Sequence, residues 1–267
     1  MDKFSFAETR YINRLIDYAT YKKYKSRVTK LFVEKNNPLT VFKNTVNNGF
    51  LSIKDTLSYH YEIQVKDFKN NTSIIKIPIK GQSTDAILKK ETPKYAEFAN
   101  ASENYTYSSK SFNLYIPKGS LYKDTYLDIA VKGEVAKIHN NRTPLHKNMT
   151  LVFDVSRYNE EDRKKLYIGR INGTKNPSYL KTYKKGGRFS ARTRVFGSYS
   201  LFTDHKKPVI VPVNIHEKKW ISDETHLKIK INDAESGVKY YKGTINGKFI
   251  LLEYDYKTGM LVYDFND

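Results

Sequence analysis

Six histidines are the side chains best suited to bind a metal ion or transfer a proton, and His139 and His146 are the closest pair. Their separation of seven residues does not fit a helical His-Glu-x-x-His motif, and Thr143-Pro144 between them favours a loop. The chain has no cysteine, which excludes disulfides, a thiol nucleophile and cysteine-based zinc or iron-sulfur sites within it. We therefore predict that both histidines belong to a structural loop and that the chain contributes no metal ligand.

Other residue groups that could do chemistry are explained better by turns and solvated surfaces. Glu160-Glu161-Asp162 could serve as paired carboxylates, but a charge-rich stretch without an apolar pocket favours the start of a polar helix. The glycines of Lys184–Arg188 lack the phosphate cradle of a P-loop and predict a hairpin tip. No Gly-x-Ser-x-Gly elbow occurs. We predict no catalytic residue and no cofactor-binding residue in this chain.

Trp220 is the only tryptophan, and Lys218 and Lys219 precede it directly. An aromatic ring beside lysines suits contact with an anionic sugar polymer or a partner protein. The alternative is that the ring covers the end of a β-sandwich core, and general burial tendencies favour this alternative. The three residues are the candidate contact site that the sequence offers.

The formal net charge of +19 comes from 47 basic and 28 acidic residues. The basic residues read as scattered pairs, many of them beside tyrosines, which indicates solvated faces and protected sheet edges more than one binding patch. The remaining interpretation is attraction to an anionic polymer such as an envelope lipid, an acidic glycan or a nucleic acid. The dispersed pattern disfavours a dedicated nucleic-acid module.

The elements that must position these residues are predicted to be mainly β. The chain has 22 Tyr and 14 Phe, which favour strands, and short alternating runs end at turn signals such as Asn246-Gly247 and Thr258-Gly259. One hairpin is predicted with Tyr59, Tyr61, Ile63 and Val65 on one face and Ile75, Ile77 and Ile79 returning. Asp17 is predicted to cap a helix over 18–26, and 31–41 reads as two strands.

Turn spacing predicts three consecutive immunoglobulin-like or related β-sandwich domains with short helices. They comprise residues 1–82, N-terminally incomplete and with an inserted excursion, residues 83–205 with an N-terminal linker, and residues 206–267. About five strands follow Pro208, where an immunoglobulin-like sandwich needs about seven, so the last domain is expected to be truncated. Truncation would leave a sheet edge with Leu261 and Tyr263 unpaired.

Several motifs in this order resemble the region downstream of the catalytic domain in large secreted lysostaphin-type (LytM-like) zinc endopeptidases of Gram-negative bacteria. The resemblance spans nearly all of the chain, and its motifs mark turns and core positions. They include Glu8–Asn13, Ile116–Tyr122, Thr143–His146, Ala191–Gly197, Asp233–Gly237 and Tyr240–Asp255.

The resemblance implies a non-catalytic accessory region of such a peptidase, serving in positioning or binding. Hydrolysis of peptidoglycan or Gly-rich peptides would belong to an absent upstream catalytic domain, which would be a partner of this region and would hold the zinc. Location would be periplasmic, at the outer surface or secreted, although Met1 opens no recognisable secretory signal. No run approaches the ~18 apolar residues of a membrane span. The alternative is a stand-alone cell-envelope binding module for an anionic polymer or a partner protein.

Overall fold

A computed structural model describes residues 6–34, 36–51, 53, 55–82, 95, 97–173 and 177–265 of the chain. The structure is mainly β, as the sequence predicts, with several antiparallel sheets. Both α-helices found among the described residues are short. The chain divides into two compact units, Met1–Lys94 and Tyr95–Asp267. The three-domain division stays a prediction, and most of its linker, residues 83–94 and 96, lies outside the described residues.

The first unit contains the predicted hairpin, and the residues predicted for its two strands lie opposite one another. Tyr59 lies opposite Ile79, Tyr61 opposite Ile77 and Ile63 opposite Ile75. The predicted helix cap is also confirmed, because the Asp17 carboxylate accepts the Thr20 N–H at 2.8 Å. The elements of this unit are a 3-10 helix Phe6–Leu15, α1 Tyr18–Tyr24, a 3-10 turn Asn47–Gly49, β1 Ser58–Lys66 and β2 Thr72–Lys80.

The prediction of two strands between Leu31 and Val41 is wrong for the described residues there, which form bends and turns. The Asn37 side chain accepts the Leu39 N–H at 3.0 Å, and the Glu8 carboxylate accepts the Thr40 N–H at 2.6 Å. Side-chain acceptors thus take the backbone donors that a strand partner would need.

Residues 97–203 form a β-sandwich with a single apolar core. One five-stranded sheet has the order β11-β10-β14-β8-β7 and the other the order β12-β13-β9-β5-β4, and both contribute to the core. The strands are β3 Glu97–Ala99, β4 Tyr105–Ser108, β5 Phe112–Ile116, β6 Thr125–Leu127, β7 Ile129–Lys132, β8 Val135–Ile138, β9 Pro144–Asp154, β10 Leu166–Ile171, β11 Ser178–Leu180, β12 Thr182–Lys185, β13 Arg188–Val195 and β14 Gly197–Thr203, with helix α2 Glu160–Lys165 before β10.

The sandwich core accounts for the alternation of apolar residues in these strands. Phe112, Leu151 and Tyr199 are fully buried between the two sheets, and the Tyr199 hydroxyl donates to the Val195 carbonyl. Helix α2 begins where predicted, since the Asn159 side chain accepts the Asp162 N–H at 2.8 Å. Residues 125–132 form two strands that belong to different sheets, because β6 pairs with β3 while β7 pairs with β8.

The last part of the chain forms a four-stranded sheet of order β15-β16-β20-β19 and a separate hairpin β17-β18. Asn246 and Gly247 both have positive φ, so the predicted hairpin turn is confirmed. The strands are β15 Val209–Pro212, β16 His226–Asn232, β17 Gly243–Ile245, β18 Lys248–Ile250, β19 Glu253–Asp255 and β20 Met260–Asp264.

The prediction that Leu261 and Tyr263 lie on an unpaired edge is wrong. Leu261 pairs with Ile229 on one side and Tyr254 on the other, and Tyr263 pairs with Leu227. Strand β20 therefore lies inside the sheet, and the burial of Leu261 in a small apolar cluster accounts for this position. The sheet has β15 and β19 as its edges.

Edge strand β15 is protected by proline. The Val213 N–H donates to the Lys228 carbonyl at 2.9 Å, so the odd-numbered residues of β15 direct their backbone groups toward β16. Ile210 and Pro212 direct theirs outward, and Pro212 has no N–H to donate. A further strand could therefore obtain only one N–H bond from β15, which suppresses edge-to-edge association.

Substituting Pro212→Val should restore an outward N–H and increase concentration-dependent self-association. Sedimentation velocity of the full chain across a concentration series measures this. Pro38→Val is the matched control, because Pro38 lies outside the strands of the described structure. Equal association of Pro212→Val and wild type would contradict the role given to Pro212.

Candidate functional site

The predicted contact residues Lys218, Lys219 and Trp220 lie in the loop between β15 and β16. The Trp220 side chain is 83% exposed, so the prediction that it covers a core is wrong. Lys219 turns inward, and its Nζ lies 2.5 Å from Glu224 Oε1 and 2.7 Å from the Asn214 carbonyl. The Asn214 amide in turn donates to Glu224 Oε2 at 2.9 Å. This cluster closes the loop and presents the tryptophan to solvent.

The environment of Trp220 is not strongly cationic. Lys219 is paired with Glu224, whose pKa is held below its usual value first by the hydrogen bond from Lys219 and then by that from Asn214. Lys218 is exposed, with Glu217 beside it in the sequence and Asp223 five residues on. Residues 205–267 carry ten basic and nine acidic side chains. The loop therefore offers an aromatic surface with little net attraction for a polyanion.

His139 lies in the loop that follows β8, as predicted. Its Nδ1 accepts the Asp128 N–H at 3.3 Å, its Nε2 lies 2.9 Å from the Thr143 hydroxyl, and its ring meets Phe196 edge to face. Burial holds the pKa of His139 below its ordinary value of 6.5, against a smaller opposite effect of the Asp128 carboxylate. Both ring nitrogens are engaged within the sandwich.

The prediction that His146 belongs to a loop is wrong, because His146 lies in strand β9. Its ring stacks on Tyr122 with ring centroids 3.8 Å apart and is almost completely buried. Its backbone N–H donates to the Ser120 carbonyl at 2.8 Å, which joins β9 to the preceding loop. Among the described residues, no cluster of three or more His, Asp or Glu side chains is arranged to hold a metal ion.

A different surface of the second unit carries a cluster of positive charges. Between Asp162 and Asp204 the chain has eleven Lys or Arg and no acidic residue. On β13, Arg188, Arg192 and Arg194 are exposed and alternate with buried Phe189, Ala191 and Thr193. Lys185 on the edge strand β12 lies directly opposite Arg188. Lys185, Arg188, Arg192 and Arg194 thus share the outer face of one sheet, which we call the basic sheet face.

The basic sheet face differs from two cationic side chains nearby, Lys184 and Arg163, which have partners. Lys184 Nζ donates to the carbonyls of Arg163 at 3.1 Å and Lys164 at 2.6 Å, near the end of α2. Arg163 itself donates to the carbonyls of Val155 and Ser156. Within the described structure, none of the four side chains of the basic sheet face makes an ion pair or a side-chain hydrogen bond.

An open trough of about 620 Å³ lies at one end of the basic sheet face. Asp154 is the one acidic residue among the outward side chains that the structure describes on this sheet, and it lies opposite Arg188. Tyr183, 49% exposed, lies on the same face opposite Ser190. The trough is lined by Val152, Asp154, Ser156, Lys185, Gly186, Gly187, Arg188 and Ser190.

Sequence reasoning identified the Gly186-Gly187 turn but missed this face. The interpretation of the basic residues as scattered pairs is wrong for 163–203, because strand pairing brings together residues from two strands. Two features of the sequence indicate this face. The 41 residues 163–203 include no acidic residue, and Arg188, Arg192 and Arg194 are separated by four and then two positions, as expected for one face of a strand.

Residues 96–204 match the family model of the Zu5-like domain. The matched region contains both five-stranded sheets, their shared core and the basic sheet face, so this sandwich is similar to that domain. No curated protein and no solved structure matches the chain. None of the helices in the described part of the chain reaches the length and apolar character that a membrane crossing requires.

Substituting Trp220→Ala should change the free energy of unfolding by less than about 0.5 kcal/mol, because the ring is exposed. Replacing the fully buried Phe196 with alanine should cost about 3–5 kcal/mol. Urea denaturation of the two variants measures both values. A loss for Trp220→Ala comparable to that of the Phe196 variant would show that the ring supports a core.

His139 should make the free energy of unfolding depend on pH below 6.5. The folded-state pKa is lowered, so at higher pH both states are neutral and the full stability is present. As pH falls below 6.5, the unfolded state binds the proton first and stability decreases until the folded-state pKa is passed. His139→Asn should reduce this decrease, since asparagine tolerates the positive φ of 47° at that position.

Denaturant titrations at pH 7.5 and 5.5 measure the effect, with the exposed His205→Asn as control. The wild type and the His205 variant should lose more stability between the two pH values than the His139 variant. Identical losses in all three proteins would contradict this structural role for His139.

Proposed function

We propose that this chain is a non-catalytic binding module that holds a protein on an anionic polymer of the cell envelope. The observation that carries the proposal is the basic sheet face, where four exposed cationic side chains line one side of a sheet and make no ion pair or side-chain hydrogen bond with the residues that the structure describes. Cationic side chains left unpaired on a surface attract polyanions over about a Debye length, ~8 Å at physiological salt. The rigid sandwich core beneath them fixes their spacing.

The residue types on this face suit close contact as well as attraction. Three of the ten arginines of the chain lie on β13, in a protein whose other basic residues are mostly lysine. Arginine can form two parallel hydrogen bonds to a carboxylate or phosphate, which lysine cannot. Residues two apart along a strand are roughly 7 Å apart, so a linear polymer lying along β13 would meet cations at Arg188, Arg192 and Arg194 in turn.

The wider setting that we propose is the accessory region of a secreted lysostaphin-type zinc endopeptidase. Its support is the ordered series of motifs from Glu8–Asn13 to Tyr240–Asp255. In this setting the zinc and the hydrolysis of peptidoglycan or Gly-rich peptides belong to a catalytic domain that the present residues do not contain. The β-rich chain would keep that domain near its substrate outside the cytoplasm.

A stand-alone module that contacts a partner protein is the second candidate function. The observation in its favour is the loop at Trp220, which its own Lys219–Glu224 ion pair closes around an exposed aromatic ring. Tryptophan is strongly over-represented among the side chains that dominate binding energy at protein interfaces. The near-neutral charge of residues 205–267 suits a protein partner better than a polyanion.

The test is a triple substitution, Arg188→Gln with Arg192→Gln and Arg194→Gln, in the full chain. Its affinity for an anionic glycan should fall roughly tenfold at physiological salt, since each exposed charge contact contributes about 0.5 kcal/mol. The control is Lys228→Gln with Lys230→Gln and Lys248→Gln, which removes the same charge from other exposed strand positions.

Retention on immobilised polygalacturonate and on single-stranded DNA across a salt series measures the effect. Wild-type retention should weaken steeply as salt increases, and the arginine variant should elute well before the lysine variant. Equal elution of the two variants would contradict the basic sheet face as the binding surface. Absence of wild-type binding to either polymer at physiological salt would contradict the proposed function.

A further inference from the structure

One carboxylate lies within the basic sheet face, and its presence restricts which polyanion the face can bind. Asp154 projects from β9 directly opposite Arg188 and lines the same trough as Lys185. A surface evolved only to attract phosphates would gain from a neutral residue at this position, because like charges repel. The inference below rests on the proposed function and concerns the ligand of the same surface.

The Asp154 carboxylate is fixed in place by its neighbour. Oδ1 accepts both the Ser156 N–H at 2.8 Å and the Ser156 hydroxyl at 2.6 Å. These hydrogen bonds, hydroxyl first, hold the pKa of Asp154 below its usual value, with Arg188 and Arg163 adding smaller effects. Within the described structure, Oδ2 has no hydrogen-bond donor, and the residue is partly exposed. The trough therefore contains an ionised hydrogen-bond acceptor. The turn at Ser156 orients it, and Arg188 makes no hydrogen bond to it in the described structure.

Ionised carboxylates only accept hydrogen bonds, so Asp154 needs a ligand that donates. Inorganic polyphosphate has no internal donor and would be repelled. A sugar polymer with acidic groups supplies both partners, because its carboxylates can pair with arginine and its hydroxyls can donate to aspartate. The exposed ring of Tyr183 adds an apolar surface on which the C–H face of a sugar ring can lie.

The turn beside the trough allows a ligand close to the backbone. Gly186 has φ of 54°, and a Cβ built there would meet nothing within 4 Å. Because Gly186 and Gly187 have no side chains, only backbone atoms form the turn between Lys185 and Arg188. A polymer strand can therefore lie across the hairpin without steric hindrance from this turn.

We propose that the trough binds an acidic glycan, with Arg188 and Lys185 pairing its acidic groups, Asp154 accepting a hydrogen bond from a sugar hydroxyl, and Tyr183 lying against a ring. Nucleic acid and polyphosphate are the competing ligands. Asp154 is the residue that discriminates between these polymers, because it attracts hydroxyls and repels phosphates.

The experiment compares Asp154→Asn with wild type on two polymers, polygalacturonate and inorganic polyphosphate. Asparagine keeps the Oδ1 acceptor for Ser156 but removes the negative charge. The variant should bind polygalacturonate about three- to tenfold more weakly, as expected for the loss of one hydrogen bond at an exposed site, and should bind polyphosphate more tightly. Asp255→Asn is the matched control, because Asp255 also caps a turn through a backbone N–H, at Lys257, and lies in another sheet.

A second measurement does not depend on the variant. Acetylation of the hydroxyls of polygalacturonate leaves its carboxylates intact, so wild type should bind the acetylated polymer more weakly, and Asp154→Asn should bind both forms alike. Tighter binding of Asp154→Asn to both polygalacturonate and polyphosphate would overturn the acidic-glycan assignment while leaving polyanion binding in place. A wild-type preference for single-stranded DNA over polygalacturonate at physiological salt would also overturn it, in favour of nucleic acid. Failure of wild type to bind any of these polymers would instead remove the proposed function itself.

Discussion

The alternation of side chains along β13 is the constraint on which the sandwich and its candidate site both depend. Phe189, Ala191 and Thr193 point into the core, so Arg188, Arg192 and Arg194 must point out. A slip of one residue against β9 would bury the arginines without partners, at a cost of several kcal/mol for each. The apolar core therefore fixes the register that places Arg188 opposite Asp154. One face of β13 thus packs in the core, and the opposite face carries the arginines of the candidate site.

The basic sheet face costs the fold some stability. Arg192 and Arg194 lie two residues apart on one strand and Lys185 lies across from Arg188, so the four cations repel one another in the absence of a ligand. Elsewhere in the same interval, Lys184 and Arg163 are satisfied by carbonyl oxygens. The contrast indicates that unpaired charge on β13 is not a general consequence of a basic composition. A bound polyanion would relieve the repulsion and stabilise the folded state by mass action.

The sequence predicts those features that depend on neighbouring residues. The hairpin turn at Asn246-Gly247, the Asp17 cap and the hairpin that contains Tyr61 and Ile77 follow from local turn chemistry and from a period of two. The strands expected over 31–41 fail because Glu8, distant in sequence, takes a backbone donor there. The burial expected of Trp220 fails because a Lys219–Glu224 pair holds the loop away from any core.

Features that depend on which strands become neighbours could not be predicted in this way. The expectation that Leu261 lies at an edge was based on the number of strands. The order of the strands decides which one is outermost, and it places β20 between β16 and β19. The basic sheet face has the same origin, since Lys185, Arg188 and Asp154 become one surface only when β12, β13 and β9 adopt their observed register.

The clustered positive charge and the exposed tryptophan lie in different parts of the second unit. Residues 163–203 contain eleven basic side chains and no acidic one, whereas residues 205–267 are nearly balanced. Within this unit, attraction that acts over about 8 Å must therefore come mainly from the sandwich, while the loop at Trp220 can act only on contact. A ligand drawn to the basic sheet face would be selected there by the donor requirement of Asp154. A partner at Trp220 would be selected by fit to an exposed ring, and its binding should depend little on salt. The two surfaces thus differ in chemistry, and under the proposed functions they would allow one chain to hold a polymer and a protein independently.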